Sequence, residues 1–353
     1  MPAPPRDRGA HIARTLRAVG TRTAVALVAA LAVALALVAC QQLLPELIGP
    51  DDAGAPDTVV VRVQGLPDDL EPALTLTGPA GFEVDLDGAT SVGGLPAGTY
   101  RLRVHDVEYG VTTFSADPTV VEAQLEAGRS ATLTARYAPD RDGARAALAR
   151  LNTYRAAVGV PAVTLDEEAT LPHWLHARYA SKNDTTGHFE DPSLPWYSDE
   201  GDQAARASNL SYRWHWRFDG TTGGVDHHHE SWIDSFADAP FHFFSLLDPR
   251  VASMRSAWFA AELSCDEVDW ITPPYPDGCH VLRATGVVQA VHGDDPWPAG
   301  TTVLFPGRDQ TVEIVDHGPE YPDPLTACPG FARPVGLPLF VMEEPVGAWS
   351  DGV

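Results

Sequence analysis

The chain has 353 residues and a formal net charge of −24, and Lys182 is its only lysine. Such an acidic surface repels phosphates and no Lys/Arg-rich stripe offsets it, so nucleic acid is excluded as a partner. The length allows two or three folded units, with all nine tryptophans placed beyond residue 173.

At the N-terminus Arg6, Arg8, Arg14, Arg17 and Arg22 precede an apolar run from Ala24 to Ala39, followed by Cys40. A basic stretch, a short Ala-rich run and small residues at its end read as an export signal over residues 1–39. Leu37-Val38-Ala39-Cys40 resembles the lipobox of bacterial lipoproteins. That resemblance implies cleavage before Cys40, lipidation of Cys40 and a place in the cell envelope, anchored to a membrane and facing periplasm or exterior. Each buried methylene contributes ~0.8 kcal/mol, so several acyl chains on one residue hold the protein to the surface without spanning it. Gln41-Gln42 is similar to an outer-membrane rather than an inner-membrane address. The alternative is an ordinary membrane helix with an incidental cysteine. Residues 40–56, punctuated by Pro45, Gly49, Pro50, Gly54 and Pro56, read as a tether.

From residue 57 to 138 short period-2 runs alternate with glycine and proline turns. Val59, Val61 and Val63 share a face, as do Tyr100, Leu102 and Val104, then Leu133, Ala135 and Tyr137. This predicts an N-terminal all-β sandwich, similar to the immunoglobulin-like or transthyretin-like modules of bacterial surface proteins. A spacer is the preferred role over a weak binding module, because no aromatic or acidic cluster marks a site.

The periodicity changes at residue 140. Ala144, Leu148, Leu151, Arg155 and Val158 recur at helical spacing, and Gly159 with Pro161 stops the helix. A second helix is expected near Asp166, which can cap it, with Pro172 in its first turns and Trp174, Leu175, Arg178 and Tyr179 along it. Beyond Cys40 the thiols are Cys265, Cys279 and Cys328. In an oxidising compartment the close pair Cys265 and Cys279 is expected to form a disulfide contributing ~3 kcal/mol, with pairings to Cys328 as alternatives.

Two histidine segments concentrate the chemistry: Gly187-His188-Phe189-Glu190-Asp191, and Pro240-Phe241-His242 through Leu247-Asp248-Pro249. Together with Leu151-Asn152-Thr153-Tyr154-Arg155, His176-Ala177-Arg178-Tyr179, Ser208-Asn209-Leu210 and Trp232, they resemble the CAP superfamily, in that family's order. That superfamily groups cysteine-rich secretory, antigen 5 and pathogenesis-related 1 proteins. The resemblance covers residues 141 to 290. It implies an α+β CAP-type domain over residues 140–291, an α-β-α sandwich whose cleft carries two histidines and two glutamates. His188 and His242 fall at the histidine positions. The acids depart from the pattern, with Ser208 standing before Asn209 and Ser235 replacing the second glutamate, while Asp234 lies adjacent.

Two imidazoles can hold a divalent metal such as zinc, but such sites usually take three or four protein ligands, so Glu190 or Asp234 would have to supply oxygen. The bland alternative is a histidine pair bonded to backbone and water. Catalysis as a peptidase-like hydrolase, with His188 and His242 and with Ser208 or Ser235 as nucleophile, lacks any Gly-x-Ser-x-Gly elbow. Tyr212, Trp214, Trp216 and Phe218 alternate with Arg213, His215 and Arg217, and form either core or an apolar wall for a ligand. By resemblance to CAP proteins a small, lipid-like, sterol-like or cell-wall ligand is expected, held by His188, Glu190, Asn209, Ser235 and His242. A third possibility is a structural or adhesion protein. Asp226-His227-His228-His229-Glu230 reads as the N-cap and first turn of the Trp232 helix rather than a metal site. Residues 292–353 read as a β-rich extension, with strands expected at residues 301–305, 311–315 and 337–342.

Overall fold

A computed structural model describes residues 56–217, 229–268, 273–274, 279–312 and parts of 320–344. The export signal, Cys40, residues 226–228 and Cys328 lie outside the described residues, as do Phe218 and the Trp216 side chain.

The first half is built from nine strands. They are β1 (Thr58–Gln64), β2 (Ala73–Thr77), β3 (Glu83–Leu86), β4 (Thr90–Val92), β5 (Gly98–His105), β6 (Val107–Tyr109), β7 (Thr112–Ala116), β8 (Val120–Leu125) and β9 (Ser130–Pro139). One sheet runs β4-β1-β9-β7-β6 and the other β3-β2-β5-β8. All pairings are antiparallel except β1 with β9. The period-2 residues point inward: Val59, Val61, Tyr100, Leu102, Leu133 and Ala135 are all buried and belong to one apolar cluster shared by both sheets.

The second half mixes helices and strands. Its helices are α1 (Arg141–Ala157), α2 (Leu171–Lys182), α3 (Asp199–Arg206), α4 (His229–Ala237) and α5 (Pro240–Leu247). Its strands are β10 (Thr164–Leu165), β11 (Asn209–Arg217), β12 (Val251–Ser264) and β13 (His280–His292), in the order β10-β12-β13-β11. Leu151, Ile233, Phe236, Phe243 and Leu246 of α1, α4 and α5 pack on one face of this sheet, around Met254 and Val288. Trp174 and Ala177 of α2 pack in the cluster that contains Phe259, Ala261 and Val287. The chain is thus a multi-sheet α+β protein. Cys265 and Cys279 are joined by a disulfide that closes the β12–β13 connection.

Local chemistry sets the boundaries. Gly159 has φ +78°, a left-handed conformation suited to glycine, and it ends α1. Asp166 does not cap α2, contrary to expectation. A single 3-10 turn at Glu167–Ala169 intervenes, and α2 starts at Leu171 with Pro172 in its first turn. Proline fits there because its missing N–H would be unsatisfied anyway. The Asp166 carboxylate instead pairs with Arg255 at 3.0 Å. In the extension β14 (Thr302–Phe305) pairs with β15 (Phe340–Glu343). Of the strand expected at residues 311–315, residues 311 and 312 are not in strand and the rest lies outside the described residues. Phe305 and Phe340 pack against Phe243 and Phe244 of α5, with ring centroids 4.9 and 4.4 Å apart.

Trp174 joins the halves. It is fully buried, its indole N–H donates to Thr112 Oγ1 at 2.9 Å, and Tyr109, Phe114 and Phe259 surround it edge-on. Burying such a ring stabilises the joint by roughly 3–5 kcal/mol, the usual cost of truncating it to alanine.

His173, one residue earlier, is 1% exposed, and burial pulls its pKa from 6.5 down to about 4. The unfolded chain then takes up a proton that the folded chain refuses between those two values. Stability is therefore full above pH 6.5 and falls as pH drops toward 4, by up to roughly 3 kcal/mol. Urea unfolding midpoints measured across that window are expected to fall less steeply for His173→Gln than for the parent chain. Identical slopes would assign the acid sensitivity to other groups.

Candidate functional site

His188 lies on the loop between α2 and α3, and side chains of β11 and β13 fix that loop. The Gly187 N–H donates to Tyr212 Oη at 2.8 Å, and the same hydroxyl lies 3.1 Å from the Gly187 carbonyl, to which it donates. Burial pushes the Tyr212 phenol up to about 12, so it keeps its proton near neutral pH. Arg283 on β13, almost wholly buried, binds the Asp184 carboxylate and the Thr185 carbonyl. Burial lowers its pKa to about 10, which leaves it charged at neutral pH. The guanidinium lies 5.0 Å from the Trp214 ring centroid. Of the alternating aromatics, Tyr212 and Trp214 therefore serve the His188 loop and its arginine.

Glu190 does not face a cleft. Its side chain is fully buried, with Oε1 2.9 Å from His176 Nδ1 and Oε2 accepting the Ser198 N–H at 3.0 Å. Its own N–H donates to Asp202 at 2.9 Å. Gly201 allows this arrangement, since a Cβ there would lie 2.6 Å from Glu190 Oε1. The residue read as a ligand-binding acid is thus a strut between α2 and α3. A buried carboxylate needs such partners more than it can serve a ligand.

Asp234 is also occupied, accepting from Arg150 Nε at 2.6 Å and Tyr154 Oη at 2.8 Å, which ties α4 to α1. The acid that reaches a site histidine is Glu320, 78 positions along the chain from His242. Its Oε2 lies 3.1 Å from His242 Nδ1 and accepts the Phe241 N–H at 3.0 Å. A carboxylate suits the first turn of α5, where amide groups lack intrahelical partners. The His242 ring stacks on Phe236 at 5.7 Å.

One connected run links the two histidines. His188 Nδ1 is 2.8 Å from the Ala205 carbonyl near the end of α3. The chain enters β11 at Asn209, whose amide donates to Ser245 Oγ at 2.8 Å. Ser245 in turn donates to the His242 carbonyl at 2.9 Å. Asn209, Ser211 and Arg213 of β11 face these helices, since Ser211 Oγ meets Ser235 Oγ at 3.0 Å and Arg213 binds Ser231.

These contacts fix the tautomers. A carbonyl and a carboxylate can only accept, so Nδ1 must carry the proton in each ring. In the neutral imidazole Nε2 is then left as a lone-pair acceptor, and neither Nε2 bonds to a described residue. Neither candidate serine points its hydroxyl proton at a histidine. Ser208 donates to the Ala204 carbonyl at 2.6 Å and Ser235 to the Trp232 carbonyl at 2.7 Å. Among the described residues no group of three or more His, Cys, Asp or Glu side chains forms a possible metal site.

Sequence reasoning missed Glu320, His176 and the role of Tyr212. Glu320-Tyr321-Pro322-Asp323-Pro324 is visible as a turn-rich segment, but nothing in it points to α5. Tyr212→Phe should strip both bonds from the Gly187 peptide at a cost of about 1–2 kcal/mol. Hydrogen exchange over residues 186–190 is expected to speed up several-fold, with the amides of β13 unchanged. Unchanged exchange in the loop would show that Arg283 alone holds it.

No family model matches this chain, and no curated protein matches it.

Proposed function

We propose that this chain is a membrane-anchored extracytoplasmic protein of CAP type that binds a small or lipid-like ligand or cell-wall fragment beside His188 and His242. The observation that carries this reading is the shared contact, Nδ1 of each ring facing an acceptor oxygen. Two imidazoles held by Nδ1 offer two Nε2 acceptors, suited to a ligand bearing hydroxyl or amide donors. The helices on both faces of the β10-β12-β13-β11 sheet, and the order of the family-like segments, support the CAP assignment. In the same proposal the paired sheets of the first half form an immunoglobulin-like or transthyretin-like sandwich. The Leu37–Cys40 segment supports the lipid anchor.

A second reading, hydrolysis, draws on one observation: a carboxylate, Glu320, orients the imidazole of His242. A histidine so oriented can act as a general base toward a bound water. The serine hydroxyls nearby are committed to carbonyls, which favours binding over a serine nucleophile.

A fluorescent fatty acid, a fluorescent sterol and a soluble peptidoglycan fragment are expected to include at least one binder. The double variant His188→Ala, His242→Ala should weaken it by about tenfold or more, near 1.4 kcal/mol. Glu320→Gln should weaken it by less, since an amide can still accept from Nδ1. No saturable binding by any of the three would sink the proposal, and peptide cleavage lost in His242→Ala would favour hydrolysis. Separately, Cys40→Ser is expected to move the protein from the membrane fraction to the soluble fraction. Retention in the membrane would point to the uncleaved helix.

A further inference from the structure

A hollow lined by neither His188 nor His242 lies where the β-sheet half meets α2 and the start of α3. It has a volume of about 450 Å³, within the range of small-molecule sites, which favour junctions between folded units. Three walls enclose it. The turn after β1 gives Asp69, one face of α2 gives Leu175 and Arg178, and the segment entering α3 gives Trp196, Tyr197 and Glu200.

Its chemistry is mixed in a specific way. Arg178 is buried, and its Nη1 binds both oxygens of Asp69 at 2.9 Å. Its Nε is sealed from solvent, while Nη2 bonds to no described residue and is not sealed. A guanidinium carries five donors, so Nη2 retains capacity for a ligand acceptor. Asp69 and Glu200 offer the reverse, carboxylate oxygens that only accept. A ligand filling this hollow must both donate and accept within a few ångströms, which hydroxyl groups do. Charge narrows the choice further. The carboxylates disfavour an anion, while Arg178 and Lys182, 4.8 and 5.8 Å from the Trp196 ring centroid, disfavour a cation.

Trp196 supplies the third requirement. Its indole is partly exposed, and its backbone has φ +67°, a left-handed conformation that bulky residues rarely adopt. Residues in such conformations cluster at functional sites. Here the partly exposed indole lines the crevice beside Tyr197, with the Arg178 guanidinium over its ring. An aromatic ring flanked by donors and acceptors suits a sugar, with its C–H groups and peripheral hydroxyls.

We propose that this crevice is a binding site for a neutral saccharide, independent of the histidine site. The test is isothermal titration of the full chain with cellotetraose, maltotetraose and tetra-N-acetylchitotetraose. At least one is expected to bind, with a dissociation constant of about 1 mM or tighter. Trp196→Gly removes the ring and suits the left-handed backbone, and Glu200→Gln alters only a surface carboxylate. With circular dichroism unchanged, each should weaken binding by about tenfold or more. Three outcomes would overturn the proposal: no saccharide bound at about 10 mM, affinity unchanged in both variants, or binding of a proline-rich peptide with no saccharide bound.

Discussion

A single buried cation organises the helical half. Arg155 is fully buried, yet its guanidinium bonds to no carboxylate oxygen among the described residues. Its Nε donates to the Pro161 carbonyl at 2.7 Å, Nη1 to the carbonyls of Leu246 and Asp248 at 2.6 and 3.1 Å, and Nη2 to Val251 at 3.4 Å. Burying a charge without such bonds would be prohibitive, so the side chain requires all four carbonyls at once. They come from the loop after α1, the end of α5 and the start of β12. The terminal carbonyls of a helix lack intrahelical donors, and an arginine there satisfies them while favouring the dipole. The axis of α5, and with it the position of His242, therefore depends on a residue of α1. Desolvation lowers the Arg155 pKa to about 10, which leaves the charge intact at neutral pH.

α2 connects the two sites through its own periodicity. Trp174 and Arg178, four positions apart, face the β-sheet half, where they meet Thr112 and Asp69. His176 and Tyr179 face the His188 loop, where they meet Glu190 and the Asp191 N–H. One twelve-residue helix thus fixes the saccharide-type crevice along one stripe and the histidine loop along another. Rotating it would disturb both, because residues at i and i+4 move as a ridge.

How much of this was legible beforehand depended on whether the signal was local. The β strands of the first half showed because Val59, Val61, Tyr100 and Leu133 alternate with polar neighbours, and burial reads that alternation directly. α1 showed through its 3.6-residue spacing and the glycine after it. The disulfide followed from proximity in sequence, with Cys265 and Cys279 fourteen positions apart. Acids were another matter. Glu190 and Asp234 sit next to the expected cleft residues in sequence, but each found a nearer cation or amide after folding. Glu320 reaches His242 from a different element, and no spacing rule links positions so far apart. The Trp196 backbone was equally hidden, since aromatic residues carry no preference for left-handed φ.

The parallel register of β1 and β9 has a mechanical side. Seven successive pairs run from Thr58 beside Ser130 to Gln64 beside Arg136. The chain therefore enters the first half at one end of this pair and leaves toward α1 at the other. A load applied between residue 56 and the helical half runs along the strands, so the inter-strand bonds resist together in shear instead of opening one by one. With the strand rise of about 3.3 Å per residue, the start of β1 and the end of β9 stand some 20–30 Å apart. This interior pairing of the sheet is thus also a path through which tension can pass.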